Sequence, residues 1–133
     1  MLSFSGVKMQ TQMTNLLLLA PGFDSELTER CVSRLRKSGR AVFLVGLIPG
    51  MVRSRDGLQL MPDMHLDELA LANYGAWLFL PGGRDYAAAL ARDPRVYRLV
   101  QAVHANGGCI AATPDVQGED FGVPLVPITG ELI

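Results

Sequence analysis

Cysteine is scarce in this chain: Cys31 and Cys109 are the only two. Two thiols cannot build the disulfide framework of a small secreted domain, so a reducing compartment is expected. An excess of one charge is missing as well. Twelve basic and thirteen acidic residues leave a net charge of -1, which gives nucleic acid or an anionic membrane nothing to hold. The strongest apolar run near the start, Leu16–Ala20, is too short for a signal-peptide core or a membrane span. Histidine is limited to His65 and His104, without a second His or a Cys at metal-ligand spacing, so no metal and no cofactor is assigned. No Gly-Lys-Ser/Thr follows a glycine-rich turn, which excludes a strict phosphate loop. These absences together predict a soluble, cytoplasmic protein with neither nucleic acid nor membrane as partner.

What is present is 133 residues, 49% of them hydrophobic, enough for one domain with a substantial core. Met1–Thr14, rich in Ser, Thr, Gln and Met without a period, reads as a flexible leader, and 15–133 as the single domain. Leu16–Ala20 is a continuous apolar run closed by Pro21-Gly22, the pattern of a parallel strand buried on both faces. Asp24 or Ser25 then caps a helix with Leu27, Cys31 and Leu35 on its apolar stripe, ended by Gly39. Ala41–Leu47 is a second buried strand. Met51–Arg53 and Leu58–Leu60, joined through Asp56-Gly57, predict a small hairpin. Pro62-Asp63 opens a short helix over Leu66–Leu71, and Ala76–Leu80 is a third buried strand, cut off by Pro81-Gly82-Gly83. Tyr86–Ala91 reads as a short helix. Asp93-Pro94 starts another, whose stripe is Val96, Leu99, Val100 and Val103, and Gly107 closes it. Gly108–Thr113 is the last buried strand, stopped by Pro114. Beyond it, Val123–Ile128 carries Pro124 and Pro127 and is confined to an edge strand or a packed loop.

That order predicts an α/β fold: a doubly wound, flavodoxin- or Rossmann-like, mainly parallel sheet with helices on both faces and a small β-hairpin. In such sheets ligands sit at the carboxyl ends of the strands. The segments Leu18–Asp24, Val52–Leu58 with Pro62-Asp63, Leu80–Gly83 and Gly108–Ala112 stand in order along the chain. As an ordered set they resemble the landmarks of the DJ-1/PfpI (ThiJ) family, within the class I glutamine-amidotransferase-like superfamily. The resemblance runs from about Leu16 to Thr113. It implies a nucleophile, usually Cys, on a strained strand-to-helix elbow; the matching position here is Pro114. It also implies a glutamate early in the first helix, matched here by Leu27, with Glu26 one residue away. Where members carry a catalytic His it follows the elbow, whereas both histidines of this chain precede it. The resemblance implies further strands and helices after the elbow, so the chain is expected to be a shortened or incomplete version of the family's domain, and the family's members commonly dimerise.

Proline holds φ near about -65°, while a nucleophile elbow needs a strained, commonly positive φ. The elbow at Thr113, Pro114 and Asp115 therefore reads as degenerate, with no catalytic residue assigned. Cys109, inside an apolar strand, reads as a small buried hydrophobe, and Cys31 on the helix stripe likewise. His104 suits the C-terminal end of its helix, and His65 a cap or the surface. The ligand-binding candidates are Gly82, Gly83 and Arg84, where backbone N–H groups and a cation meet an anion, with Glu26 facing the same crevice. A tight turn is the competing reading of the glycines. The expected function is thus that of a catalytically degenerate DJ-1/PfpI-like domain, binding a small anionic or carbonyl ligand or associating as a homodimer through an open sheet edge. The alternative is an active hydrolase, glyoxalase or deglycase of that family using a displaced residue, Cys109 or Thr113, assisted by Glu26 or Asp115.

Overall fold

The computed structural model describes residues 14–69 and 76–129. Along them run β1 (Asn15–Leu19), α1 (Ser25–Lys37), β2 (Val42–Gly46), β3 (Val52–Arg53), β4 (Gln59–Leu60), β5 (Met64–His65), β6 (Trp77–Leu80), α2 (Arg84–Ala91), α3 (Pro94–Ala105), β7 (Cys109–Ala112) and β8 (Val126–Pro127). Four consecutive leucines give β1 no polar face, so its stable place is the middle of a sheet covered on both sides. Every residue of β1 is buried there, and each leucine contributes roughly 1.5–3 kcal/mol relative to exposure. β1 pairs with β2 on one side and with β6 on the other, both parallel, and β7 extends the sheet beyond β6. The full order is β5-β2-β1-β6-β7-β8, every pair parallel, with β3–β4 as a separate antiparallel hairpin.

The direction of winding reverses at β1. Because parallel crossovers are right-handed, α1 and α3 are carried to opposite faces of the sheet, giving the doubly wound, flavodoxin-like α/β architecture expected. The helix starts are those the sequence indicates. Asp24 caps α1 by accepting the Leu27 N–H at 3.0 Å, and Asp93 caps α3 by accepting the Arg95 N–H at 2.9 Å. Asp93 also takes Arg95 Nη2 at 2.7 Å and Nε at 3.1 Å. Those side-chain hydrogen bonds from Arg95 hold its carboxyl below the ordinary value of 3.8. Replacing Asp93 with alanine is expected to cost about 1–2 kcal/mol at neutral pH. A depressed carboxylate stabilises above the unfolded-state value and stops doing so as pH falls through the folded-state one. Urea denaturation of wild type and Asp93→Ala should therefore converge only on acidification below the ordinary value of 3.8.

Two segments differ from expectation. The helix expected over Leu66–Leu71 is a single 3-10 turn at Leu66–Glu68, and residues 70–75 lie outside those described. The residues just before it form β5, because Asp63 Oδ2 accepts the Leu44 N–H at 2.8 Å and the Asp63 N–H reaches Leu44 O at 2.8 Å. That clamp lays Met64-His65 along β2. Glu68 Oε1 then accepts the His65 N–H at 2.9 Å and closes the turn. Of the expected leader, residues 1–13 lie outside those described, and Thr14 is already buried. The sheet edge beyond β7 is also not left open. Ala111 and Ala112 pair with Val126 and Pro127, and the Ile128 N–H donates to Ala112 O at 3.1 Å. Pro127 has no N–H to offer a further strand, which blunts that edge. The edge-strand reading of the tail holds, with β8 rather than β7 at that edge.

Candidate functional site

The carboxyl ends of β1 and β6 lie side by side where the strand order reverses, the position at which open α/β sheets form their crevice. Three loops are laced together there through Phe23, which is fully buried. It makes isolated bridges to Ser54 and to Gly82. The Gly22 N–H donates to Arg53 O at 2.9 Å, the Arg55 N–H to Phe23 O at 3.1 Å, and the Asp24 N–H to Pro81 O at 3.0 Å. The hairpin base is thereby fixed against the turns that leave β1 and β6.

Gly82 is required by packing. A Cβ built on it would stand 2.1 Å from Tyr86 Cγ, inside a fully buried ring. Its N–H donates to Thr113 Oγ1 at 3.0 Å. The Thr113 hydroxyl in turn is directed at the carbonyls of Gly82 and of Leu80, the latter at 3.3 Å. Gly82 N–H is thus engaged inside the protein, so the turn reading of this glycine prevails over an oxyanion role. Gly83 is different. The place a Cβ would occupy is 3.7 Å from Asp115 Oδ2 and 3.8 Å from Arg55 Nη1, so one cation and one carboxylate flank its open face. Arg55 is held there by an ion pair, Nη2 to Asp24 Oδ2 at 3.1 Å, while the other Asp24 oxygen caps α1.

Of the sequence candidates, Gly82, Gly83, Thr113, Pro114 and Asp115 converge on this crevice. Arg84 is the exposed first residue of α2, and Glu26 is exposed in the first turn of α1. Among the described residues Glu26 makes no hydrogen bond or ion pair with the crevice groups. Arg55 and Asp24 carry no local sequence signal of a site. They are 31 residues apart in sequence, and only the hairpin's docking on Phe23 brings them together. Among the described residues none but glycines has positive φ, so the backbone at Pro114 lacks the left-handed strain of an elbow. Leu27, at the glutamate position, packs against the core.

Cys109 requires a correction. It is exposed, not buried, because it is the first residue of β7, where the strand emerges beside Trp77. That is the amino end of the sheet, opposite to Thr113, so Cys109 shares no site with Asp115 or Glu26. Cys31 is buried as expected, and burial pushes its thiol up to about 11. His65 caps its turn and lies 3.4 Å from Glu68 through Nε2, and His104 is exposed in the last turn of α3. Among the described residues no group of three or more His, Cys, Asp or Glu is placed to hold a metal ion, and no helix is long and apolar enough to cross a membrane. Chemically, the crevice offers a guanidinium, a carboxylate and a glycine face, with no thiol beside them.

Solved structures resemble this chain closely in fold. DJ-1beta of Drosophila melanogaster superposes with a TM-score of 0.76 at 29% identity, over 84% of this chain and 61% of its own. A DJ-1 superfamily protein from Salmonella typhimurium gives 0.71 at 27% identity, over 75% and 54%. DJ-1 of Schizosaccharomyces pombe gives 0.73 over 84% and 64%, and at 16% identity it supports the fold alone. The chain thus spans less than two thirds of the length of each of these structures. No curated protein sequence matches it. The family model described as DJ-1/PfpI matches residues 13–114, which reach from the start of β1 to the elbow position, and the chain belongs to the DJ-1/PfpI family.

Proposed function

We infer that this protein is a catalytically degenerate member of the family, a cytoplasmic domain that binds a small anionic or carbonyl ligand at the carboxyl-edge crevice. The observation that carries this reading is Pro114 in the nucleophile's place, without backbone strain. Two further features support it. Leu27 offers no acid to a neighbouring group, and the Thr113 hydroxyl is engaged with Gly82 and Leu80. The alternative of a displaced nucleophile is disfavoured by the position of Cys109 at the far end of the sheet. A ligand oxygen would be held by Arg55 over the face of Gly83, with Arg84 turning in from the exposed start of α2 and Asp115 accepting from a hydroxyl.

The test combines turnover with thiol labelling. Methylglyoxal consumption and peptide hydrolysis are expected at background for wild type, Pro114→Cys and Cys109→Ala, since restoring one of several groups that act as a unit recovers little. Iodoacetamide should label Cys109 in the native protein and Cys31 only on unfolding. Wild-type turnover that vanishes in Cys109→Ala would replace this reading with the enzyme.

Association as a homo-oligomer is favoured by a separate observation. Ile48, Met51, Leu58 and Met61 are exposed by 63%, 54%, 52% and 59%, all on or beside the hairpin, and such apolar clusters are typical of contact surfaces. Sedimentation at micromolar concentration should give a dimer mass, and a monomer at every concentration would remove this part of the proposal.

A further inference from the structure

A second concavity lies beside the crevice, between the turn leaving β1, the base of the β3–β4 hairpin and the outer face of α2. It has a volume of about 490 Å3, and Arg53, Arg55 and Arg92 line it together with Asp85, Ala88 and Ala89. Its size falls in the range of small-molecule sites, about 300–1,000 Å3.

The fold builds this groove from distant pieces. Gly22, at φ +87, donates its N–H to Arg53 O at 2.9 Å and so holds the hairpin base to the β1 turn. With no side chain there, α2 comes close: a Cβ on Gly22 would already meet Asp85 Cβ at 3.4 Å. Ala88 and Ala89 then keep the helix wall low. The result sets two arginines of the hairpin against one at the C-terminal end of α2.

Charge is distributed unevenly over these groups. Arg55 is paired with Asp24 at 3.1 Å, and elsewhere on the surface Arg95 is paired with both Asp67 and Asp93. Among the described residues neither Arg53 nor Arg92 has an acidic partner. Two uncompensated guanidiniums on one groove match the charge of a phosphomonoester dianion, whose oxygens accept from more than one arginine fork. Asp85, the one carboxylate in the lining, repels a second anionic group and accepts from a hydroxyl. We propose that this groove binds a small hydroxyl-bearing phosphomonoester, its phosphate between Arg53 and Arg92 and a hydroxyl on Asp85. The site uses none of the residues of the lost elbow, and it goes beyond the crevice reading above.

The experiment is calorimetric titration of the full chain with glycerol 3-phosphate, inorganic phosphate and glycerol at low salt. Saturable binding of glycerol 3-phosphate is expected, with no heat from glycerol. Arg53→Ala and Arg92→Ala should each weaken it by about tenfold or more, whereas Arg40→Ala, outside the groove, should change it by less than about twofold. Asp85→Asn should remove the preference for glycerol 3-phosphate over inorganic phosphate, with inorganic phosphate bound no more weakly than by wild type. All four side chains belong to exposed residues, and matching thermal transitions of the variants will show that each is folded. No saturation below about 10 mM, or an equal loss in Arg40→Ala, would overturn the proposal. So would tighter binding of a phosphoserine peptide, which would make the occupant a modified protein. If Arg84→Ala abolishes binding while Arg53→Ala and Arg92→Ala do not, the anion sits in the crevice. That result would sink this inference and leave the proposed function standing.

Discussion

Gly82→Ala is expected to destabilise the protein by roughly 3 kcal/mol or more, at the upper end of overpacking effects, and to lower Tm by roughly 10 °C. The added methyl would stand 2.1 Å from Tyr86 Cγ and 2.4 Å from its Cβ and Cδ1. None of these atoms can retreat cheaply. Tyr86 is fully buried, and its hydroxyl donates to Leu18 O at 2.6 Å, so the ring is anchored at its far end. The backbone has little freedom either. Gly82 N–H is bonded to Thr113, the next residue's carbonyl accepts the Ala87 N–H at 2.9 Å, and Phe23 bridges to Gly82 from β1. Gly83→Ala is the internal control. Its methyl meets only ordinary contacts at 3.7 and 3.8 Å, so its cost is expected to stay under about 1 kcal/mol. Chemical denaturation of both variants checks the contrast, and a Gly82→Ala protein as stable as Gly83→Ala would show that α2 shifts freely against β6.

Tyr86 itself carries the other large effect. Tyr86→Ala is expected to cost about 3–5 kcal/mol, the range for removing a buried aromatic ring, since it empties the space between α2 and the sheet. Tyr86→Phe isolates the hydroxyl. It leaves Leu18 O on the central strand without that donor, at about 1–2 kcal/mol. Burial also drives the Tyr86 phenol well above its ordinary value of 10.0. A group raised in the folded state stabilises below the unfolded-state value and ceases to as pH rises past it. Wild type should therefore lose stability relative to Tyr86→Phe only above the ordinary value of 10.0. Guanidinium unfolding from neutral to alkaline pH measures both effects. A gap that stays constant through that range would mean the hydroxyl reaches solvent.

The lattice of strands and helices was legible because each element is local in origin. Leu16–Leu19 has no polar residue to place in water, Asp24 and Asp93 stand one residue before their helices, and Asp56-Gly57 marks the hairpin turn. The tail was legible in kind, since Pro124 and Pro127 confine a strand to an edge. β5 was not, because Met64-His65 has no pattern of its own. It becomes a strand only when Asp63 reaches Leu44 across 19 residues. Cys109 misled for a related reason: apolar neighbours predict burial, yet exposure depends on where a strand starts relative to the sheet's rim.

The sequence by itself determined the family, the order of the buried strands and a proline at position 114 where the last buried strand ends, each of which rests on residue type and local spacing. Tertiary structure alone decided what stands in the crevice. Arg55 reaches Asp24 and Gly83, Thr113 takes up the Gly82 N–H, and Arg53 and Arg92 line one groove, only because Phe23 pins the hairpin to two strand ends. Side chains that far apart in sequence leave no periodic signal, and their meeting is fixed by packing against a shared buried ring.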